Sequence, residues 1–517
     1  MPRADARLKP SRYVVIALLA ASGLAAACHA TTHPALPSLP APPASPARPA
    51  PPAPPALASL QRDIDALLDA PALEHSFWGV VVKSLRSGDT LYVRNGRRLM
   101  MPASNMKIVT LAAAMERLGW DYTYETQLFT AGPIDAGALR GDLVVVGSGD
   151  PSLMSADADV VFAGWAETLK HAGVRTIAGR VIGDDDRFED NGLGFGWSWD
   201  DLQDDYAAGV SALQLNENAV RVSIAPGPAA GDSAGISISP TGSGLAVTGV
   251  VTTAAEGAPT AIRTRRLPGS MRLELRGTIA AGASPATLNV SVENPTLFFA
   301  TALRDALIAH GLDVRGPAVD LDDVTDALPR SATPIATHRS PPLSTLAVRL
   351  MKDSQNLYAE TLLKTLSVRA GAPVATAERG RAEAAAALQA WGLNPADLIQ
   401  RDGSGLSRYD YVTADALVTI LVHVGRDDRL RGPFEASLPI AGRDGTLSNR
   451  MKGTAAEGNA RAKTGSMSNV RGMSGYVTSA SGEPLVFSIL ANNFEVPPGT
   501  ITAAEDAIVV RLATFAR

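Results

Sequence analysis

Three short words occur once each along this chain, in a fixed order: Ser104-Asn105-Met106-Lys107, Ser354-Gln355-Asn356 and Lys463-Thr464-Gly465. Together they offer a serine nucleophile, a lysine to deprotonate it, a second hydroxyl with an amide, and a cationic strand for a carboxylate. That set suits acyl transfer and needs neither histidine nor metal. A serine hydroxyl is a weak nucleophile until a base lies within hydrogen-bond reach. On a helix, residues three apart share a face, so Ser104 and Lys107 meet without help from the rest of the fold. A place near the helix N-terminus also favours the Ser104 alkoxide.

To serve as a base near neutrality, Lys107 must drop by about three units from an ordinary lysine pKa. Burial and a second cation, Lys463, would lower it. Ser354 is then the relay that carries the proton to the leaving nitrogen, and Asn356 holds Lys107 and a substrate amide. Lys463, Thr464 and the hydroxyl of Ser466, beside Gly465, grip a substrate carboxylate. The backbone N–H groups of Ser104 and Ser466 are the expected oxyanion hole. Singly, Ser-x-x-Lys and Ser-x-Asn each arise by chance about once in a chain like this, and Lys-Thr-Gly at a rate of roughly one in twenty. The weight therefore rests on their order and on the helix start, helix and strand that carry them.

Those elements can be read from the pattern. Leu60, Ile64, Leu67 and Leu68 have helical spacing. Gly79 to Val82 and Thr90 to Val93 read as strands around the turn Arg86 to Asp89. Ser104 to Leu118 reads as a helix. Near the other end, Ala460 to Ser466, Arg471 to Thr478 and Leu485 to Ala491 read as successive strands, and Ile501 to Phe515 as a closing helix. Both ends together suggest an α+β domain, one antiparallel sheet with helices on it. Roughly 245 residues separate the first word from the second, too many for a loop. Residues 122–292 are rich in glycine, threonine, valine and turn signals, and read as one or two inserted β-rich domains. The expected catalytic domain is thus split into 57–121 and 293–517. Helical patterning returns over Pro295 to Gly311 and over Ser344 to Arg369.

The 517 residues call for two or three domains. A content of 46% hydrophobic and 19% charged residues is that of a globular enzyme. A net charge of −5, with no basic run beyond the first dozen residues, argues against nucleic acid as a partner. Cys28 is the single cysteine, which excludes an internal disulfide and a cysteine zinc site. The seven histidines are scattered, and the only close pair, His29 and His33, precedes the globular region. Neither a metal nor any other cofactor is expected.

Residues 1–28 read as an export signal. Arg3, Arg7, Lys9 and Arg12 precede an apolar stretch, Tyr13 to Ala27, shorter than the roughly 20 residues of a membrane-spanning helix. Leu24-Ala25-Ala26-Ala27-Cys28 resembles a bacterial lipobox, with Ala25 where a larger aliphatic is usual. Either Cys28 is lipidated and tethers the protein to a membrane, or the signal is cleaved at the alanine-rich site. Residues 29–56 are a proline- and alanine-rich linker. As polyproline II it would span on the order of 60–70 Å. The expected location is periplasmic or otherwise extracytoplasmic, with membrane anchoring if Cys28 is lipidated.

The chain resembles the class C low-molecular-mass penicillin-binding proteins, the D-Ala-D-Ala carboxypeptidase/endopeptidase family of the serine β-lactamase/DD-peptidase superfamily. Besides the three words, the likeness rests on Gly147-Ser148-Gly149-Asp150-Pro151-Ser152-Leu153, Gly196-Trp197-Ser198-Trp199-Asp200 with Ser211-Ala212-Leu213, and Leu357-Tyr358-Ala359-Glu360. Asp402 to Arg408 and Ser474-Gly475-Tyr476 complete it, over essentially all of the chain from about residue 60. Ser466 stands where threonine is frequent and Met473 where leucine is frequent. Ser466 keeps the hydroxyl. The Gly-rich run Asp402 to Arg408 reads equally as a structural turn or as a rim of the site.

The resemblance implies cleavage of D-Ala-D-Ala ends and D-alanyl cross-links of peptidoglycan stem peptides through an acyl-enzyme on Ser104. It also implies covalent inhibition by β-lactams, and it accounts for the insertion. A β-lactamase-like hydrolase would share the acylation step but has no need of a long insertion or linker. An inactive wall-binding module would be expected to lack the nucleophile or the base. A lipase-type hydrolase would need its serine on a Gly-x-Ser-x-Gly elbow, and no such elbow is expected in this chain.

Overall fold

A computed structural model describes residues 55–326, 328 and 330–517; the leader, Cys28 and the linker as far as Pro54 lie outside the described residues. Apolar runs from both ends of the chain form one antiparallel sheet. Its strand order is Thr90–Arg94, Phe77–Ser84, Pro484–Asn492, Val470–Thr478 and Arg461–Met467. Phe77–Ser84 pairs with Pro484–Asn492 along its whole length, Phe77 opposite Asn492 and Ser84 opposite Leu485. The three C-terminal strands begin and end within a residue of the expected bounds.

Successive residues of a strand point to opposite faces, and here both faces are covered. Val81, Val486 and Leu490 share a core with the helices Met106–Leu118, Leu343–Lys352, Asn356–Arg369 and Ala414–Arg426. Val80, Val82, Phe487 and Ile489 share another with the terminal helices Pro55–Leu68 and Pro498–Ala513. Double coverage explains why these strands read as unbroken apolar runs, without the alternation of a one-sided sheet. Each fully buried side chain of this kind contributes about 1.5–3 kcal/mol. Under the C-terminal helix, Glu505 is fully buried and lies 3.1 Å from Arg450, which also reaches Asp506 at 2.7 Å.

The inserted region has its own core and more helix than the sequence suggests. A five-stranded sheet runs in the order Ala318–Asp320, Val181–Asp184, Asp142–Gly147, Glu125–Ala131 and Ala336–Arg339, beside two three-stranded sheets. The helix Ser155–His171 makes the crossover between the parallel strands Asp142–Gly147 and Val181–Asp184. It buries Ala158, Phe162, Trp165, Ala166 and Leu169, a helical spacing that intervening Asp157, Asp159 and Gly164 dilute. The helix Pro295–Ala309 also departs from the expected division at 292/293. Its Phe298, Phe299, Leu303 and Leu307 pack into the core of the insertion, and the chain re-enters the helical core of the sheet at Leu343. Among the described residues no helix is long and apolar enough to cross a membrane.

Candidate active site

Ser104 does not open a regular α-helix. Ala103–Asn105 is a 3₁₀ turn, and the α-helix runs from Met106 to Leu118. In the tighter turn, residues i and i+3 eclipse, and Lys107 Nζ donates to Ser104 Oγ at 2.9 Å. Ala103 has φ 45°, a left-handed conformation that costs a residue with a Cβ on the order of 1–2 kcal/mol. Close packing holds it there. Asn105 is fully buried, with Nδ2 donating to the Pro102 carbonyl at 3.2 Å. The strand Arg461–Met467 closes over this turn. A Cβ on Gly465 would stand 2.6 Å from the Pro102 carbonyl oxygen and 2.7 Å from Asn105 Nδ2. The glycine of the third word thus lets the strand and the Ser104 turn touch backbone to backbone.

The second word lies in a break. Two helices, Leu343–Lys352 and Asn356–Arg369, replace the continuous helical run, with Ser354 between them at φ 60°. A left-handed residue cannot continue a helix. Ser354 Oγ accepts from Lys463 Nζ at 2.8 Å. Asn356 opens the second helix, and its Oδ1 accepts from Lys107 Nζ at 2.6 Å. Its Nδ2, expected to hold a substrate amide, carries two N–H groups, and one donates to the carbonyl of Tyr206 from the inserted region, at 2.7 Å.

The third word sits on the edge strand of the main sheet. The N–H of Ala462 points off that edge, donating to the Pro439 carbonyl at 3.0 Å. With a period of two, the N–H groups of Thr464 and Ser466 share that direction. Ser104, Ser354, Asn356 and Ser466 line a cleft of about 390 Å³. Lys107 and Lys463 are fully buried, and Lys463 Nζ also donates to the Thr464 carbonyl at 2.8 Å. The Thr464 hydroxyl is turned to Thr446, 2.7 Å away. The inserted region supplies Ser198, Asp200, Asp201 and Tyr206 to the cleft wall opposite Arg408 and Ser468.

Burial holds the Lys107 ammonium down to about 7, against the pull of Asp402 and Glu360. Burial, and then the charge of Lys107, holds Lys463 well below the usual lysine range. Repulsion between the two buried ammonium groups is mutual, so each lysine favours the neutral form of the other. A neutral Lys107 is a competent base for the hydroxyl beside it.

Sequence reading assigned no role to a backbone carbonyl and a carboxylate that hold Lys107 in place. The Ser404 carbonyl accepts from Lys107 Nζ at 2.9 Å. Glu360 accepts the N–H groups of Gly403 and Ser404 at 2.8–3.0 Å. Burial and the charge of Asp402 push its carboxyl up to about 7. Asp402 in turn accepts the N–H of Gly405 at 2.6 Å, that of Ser407 at 2.7 Å, and Trp197 Nε1 at 2.9 Å. A Cβ on Gly405, at φ 84°, would stand 1.9 Å from the Ala103 carbonyl oxygen. The run Asp402 to Arg408 is thus a structured loop against the Ser104 turn, with Gly405, Leu406 and Arg408 on the cleft. The available signal was a glutamate one helical turn after Asn356 on a wholly buried helix stretch.

One Gly-x-Ser-x-Gly pattern does occur, Gly231-Asp232-Ser233-Ala234-Gly235. It forms the loop between the antiparallel strands Ala219–Ala225 and Gly235–Ser239 of the insertion, with Ser233 exposed. It leads from strand to strand, without the helix that follows a nucleophile elbow.

The family model of D-Ala-D-Ala carboxypeptidase 3 (S13) matches residues 60–515. A D-alanyl-D-alanine carboxypeptidase of an Actinomadura species is 37% identical over 472 residues, covering 89% of this chain and 85% of that one. The crystal structure of penicillin binding protein 4 from Haemophilus influenzae has a TM-score of 0.77 at 26% identity, covering 88% of this chain and 100% of that one. The same protein complexed with a β-lactam gives 0.71 at 25% identity over the same shares.

Proposed function

Since the chain belongs to the D-Ala-D-Ala carboxypeptidase 3 (S13) family, we propose that it is a penicillin-binding serine DD-peptidase acting on D-Ala-D-Ala ends and D-alanyl cross-links of peptidoglycan. The observation that carries the mechanism is the 2.9 Å contact between a desolvated lysine and Ser104 Oγ. Lys107, in its neutral form, takes the Ser104 proton while Oγ bonds to the carbonyl carbon of the penultimate D-alanine. The N–H groups of Ser104 and Ser466 stabilise the oxyanion. The proton passes through Ser354 to the leaving nitrogen, the C–N bond breaks, and an ester on Ser104 remains. Water, deprotonated by Lys107, then hydrolyses that ester. No step calls for a cofactor.

Ser466 offers a hydroxyl for the terminal carboxylate, with Thr464 beside it and Lys463 behind. A bound carboxylate favours the charged form of Lys463, so substrate itself restores the cation that burial suppresses. In a β-lactam the broken C–N bond is part of a ring, so the amine stays attached to the acyl-enzyme.

The leader supports export, to where peptidoglycan lies. Cys28 is either the lipidated end of the mature protein, a membrane tether, or removed with the signal. Mass analysis of the mature N-terminus separates the two.

The deciding experiment is intact-mass spectrometry of the mature protein with benzylpenicillin, with peptide mapping. A lasting adduct on Ser104 is expected. Drug consumed without adduct would mean β-lactamase-like turnover. Drug left intact, with no adduct, would mean an inactive wall-binding module.

A further inference from the structure

The cleft at Ser104 is not the largest in the molecule. A cavity of about 650 Å³ lies between the helix break at Asp353 to Asn356 and the strand Ala219–Ala225 of the insertion. Tyr206, Ser354 and Asn356 line both spaces, whereas Ser104 and Ser466 line only the smaller. This arrangement gives the reaction a direction. Ser354 hands the proton to the leaving nitrogen; the carboxylate next to that nitrogen is held at Ser466 in the smaller cleft, and the rest of the amine-side strand extends past Ser354, which borders both spaces. The acyl half stays on the side of Ser104.

We propose that the larger cavity receives the amine-side peptide strand of a D-alanyl cross-link. This rests on the reading of Ser104 as the acylated residue. A departing free D-alanine is a handful of atoms and has no use for such a space. A volume of this size is in the ordinary range for a drug-sized ligand, about 300–1,000 Å³, well beyond what one alanine fills. The bond broken joins the D-alanyl carbonyl carbon to the nitrogen of that second strand. The proton reaches the nitrogen through Ser354, and the strand leaves as an amine.

The charges along the wall fit such a product. Arg349 pairs with Glu217 at 2.8 and 2.9 Å and with Asp353 at 2.8 Å, and Gln355 adds a bond to Glu217 at 2.7 Å. Arg221 and Asp205 are the lining charges outside any ion pair among the described residues, and Asp205 accepts only from Asn289 Nδ2 at 3.0 Å. One cation and one anion suit a peptide that arrives with carboxylates and departs with a new ammonium group.

The test compares two substrates of the full-length protein, a cross-linked muropeptide dimer and a monomeric pentapeptide muropeptide. Arg221→Glu reverses the cation, and Ser239→Trp, at an exposed position on the cavity wall, obstructs the space. Each should lower kcat/KM on the dimer by about tenfold, mainly through KM. D-alanine release from the monomer and benzylpenicillin acylation of Ser104 should stay within about twofold, and Arg221→Lys should restore most dimer cleavage. Equal losses on both substrates, dimer cleavage untouched by both variants, or a wild type that trims the monomer but never cleaves the dimer would overturn the assignment. Failure of the Ser104 reading looks different: benzylpenicillin leaves Ser104 unmodified and neither substrate is cleaved.

Discussion

Glu360 accepts the backbone N–H of Ser404 at 2.8 Å, and the carbonyl of that same Ser404 accepts from Lys107 Nζ at 2.9 Å. A carboxylate that never touches the reacting atoms thus aims the group that aims the base. Glu360→Gln keeps the shape but sets an NH₂ against one of the two N–H groups it now receives. Acylation by benzylpenicillin should fall by about tenfold or more. Loss of the negative charge that supports the Lys107 ammonium should also move the acid limb of the pH–rate profile to lower pH. Unchanged rates and an unmoved limb would reduce Glu360 to a packing residue.

As the proposed base, Lys107 acts when unprotonated. Acylation should rise about tenfold per pH unit below 7 and level off above it, near the value of about 7 held by burial. Stability follows the same group. The unfolded chain keeps this proton up to about 10.5 while the folded chain releases it near 7. The folded state therefore gains on the unfolded as pH climbs across that window. Lys107→Met should flatten this slope in denaturant midpoints and abolish acylation. A rate profile flat from pH 5 to 9 would refute Lys107 as the base.

Ser104→Ala should abolish D-alanine release and benzylpenicillin labelling with little change in thermal midpoint, because the hydroxyl's one described partner is Lys107. Labelling that persists, mapped to another serine, would move the nucleophile elsewhere.

Gly465→Ala tests the backbone contact between the edge strand and the nucleophile turn. The new methyl group meets a carbonyl oxygen and an amide nitrogen inside 3 Å, so the strand must retreat from Ser104. We expect acylation to fall by about a hundredfold, since small displacements of reacting groups cost that much, with circular dichroism unchanged. Rates within threefold of wild type would show that the strand adapts.

Arg450 and Glu505 test stability away from the site. Burial pushes the Glu505 carboxyl up to about 7, against the favourable charge of Arg450. Arg450→Ala leaves that carboxylate without its partner and should cost about 3–5 kcal/mol at pH 8. The folded state holds a proton between 4.5 and 7 that the unfolded state has lost. At pH 5 Glu505 is neutral and the same variant should lose less. A loss equal at both pH values would point to packing.

What was legible in the sequence is what side chains and periodicity write there. Val80 to Val82 and Leu485 to Ala491 announce a sheet because both faces are buried. Ser104 and Lys107 announce themselves because the local turn alone brings them together. Tyr206 and Ser404 enter through their carbonyls, which leave no mark on residue type. The break at Ser354 was hidden because apolar spacing continues on either side, and only its φ reveals it. The helix Ser155–His171 was within reach: Phe162, Trp165, Ala166 and Leu169 repeat at helical intervals inside a region whose composition suggested strands.

The pairing of Phe77–Ser84 with Pro484–Asn492 also governs when the site can exist. Contacts of such sequence separation form late, because closing the intervening chain costs entropy before the contact repays it. The insertion, with a core of its own, can consolidate while the last strands are still emerging. A nascent chain ending before residue 461 carries the nucleophile and its lysine but lacks the strand that faces them. Acylation at Ser104 is therefore expected only once the strand Arg461–Met467 has emerged.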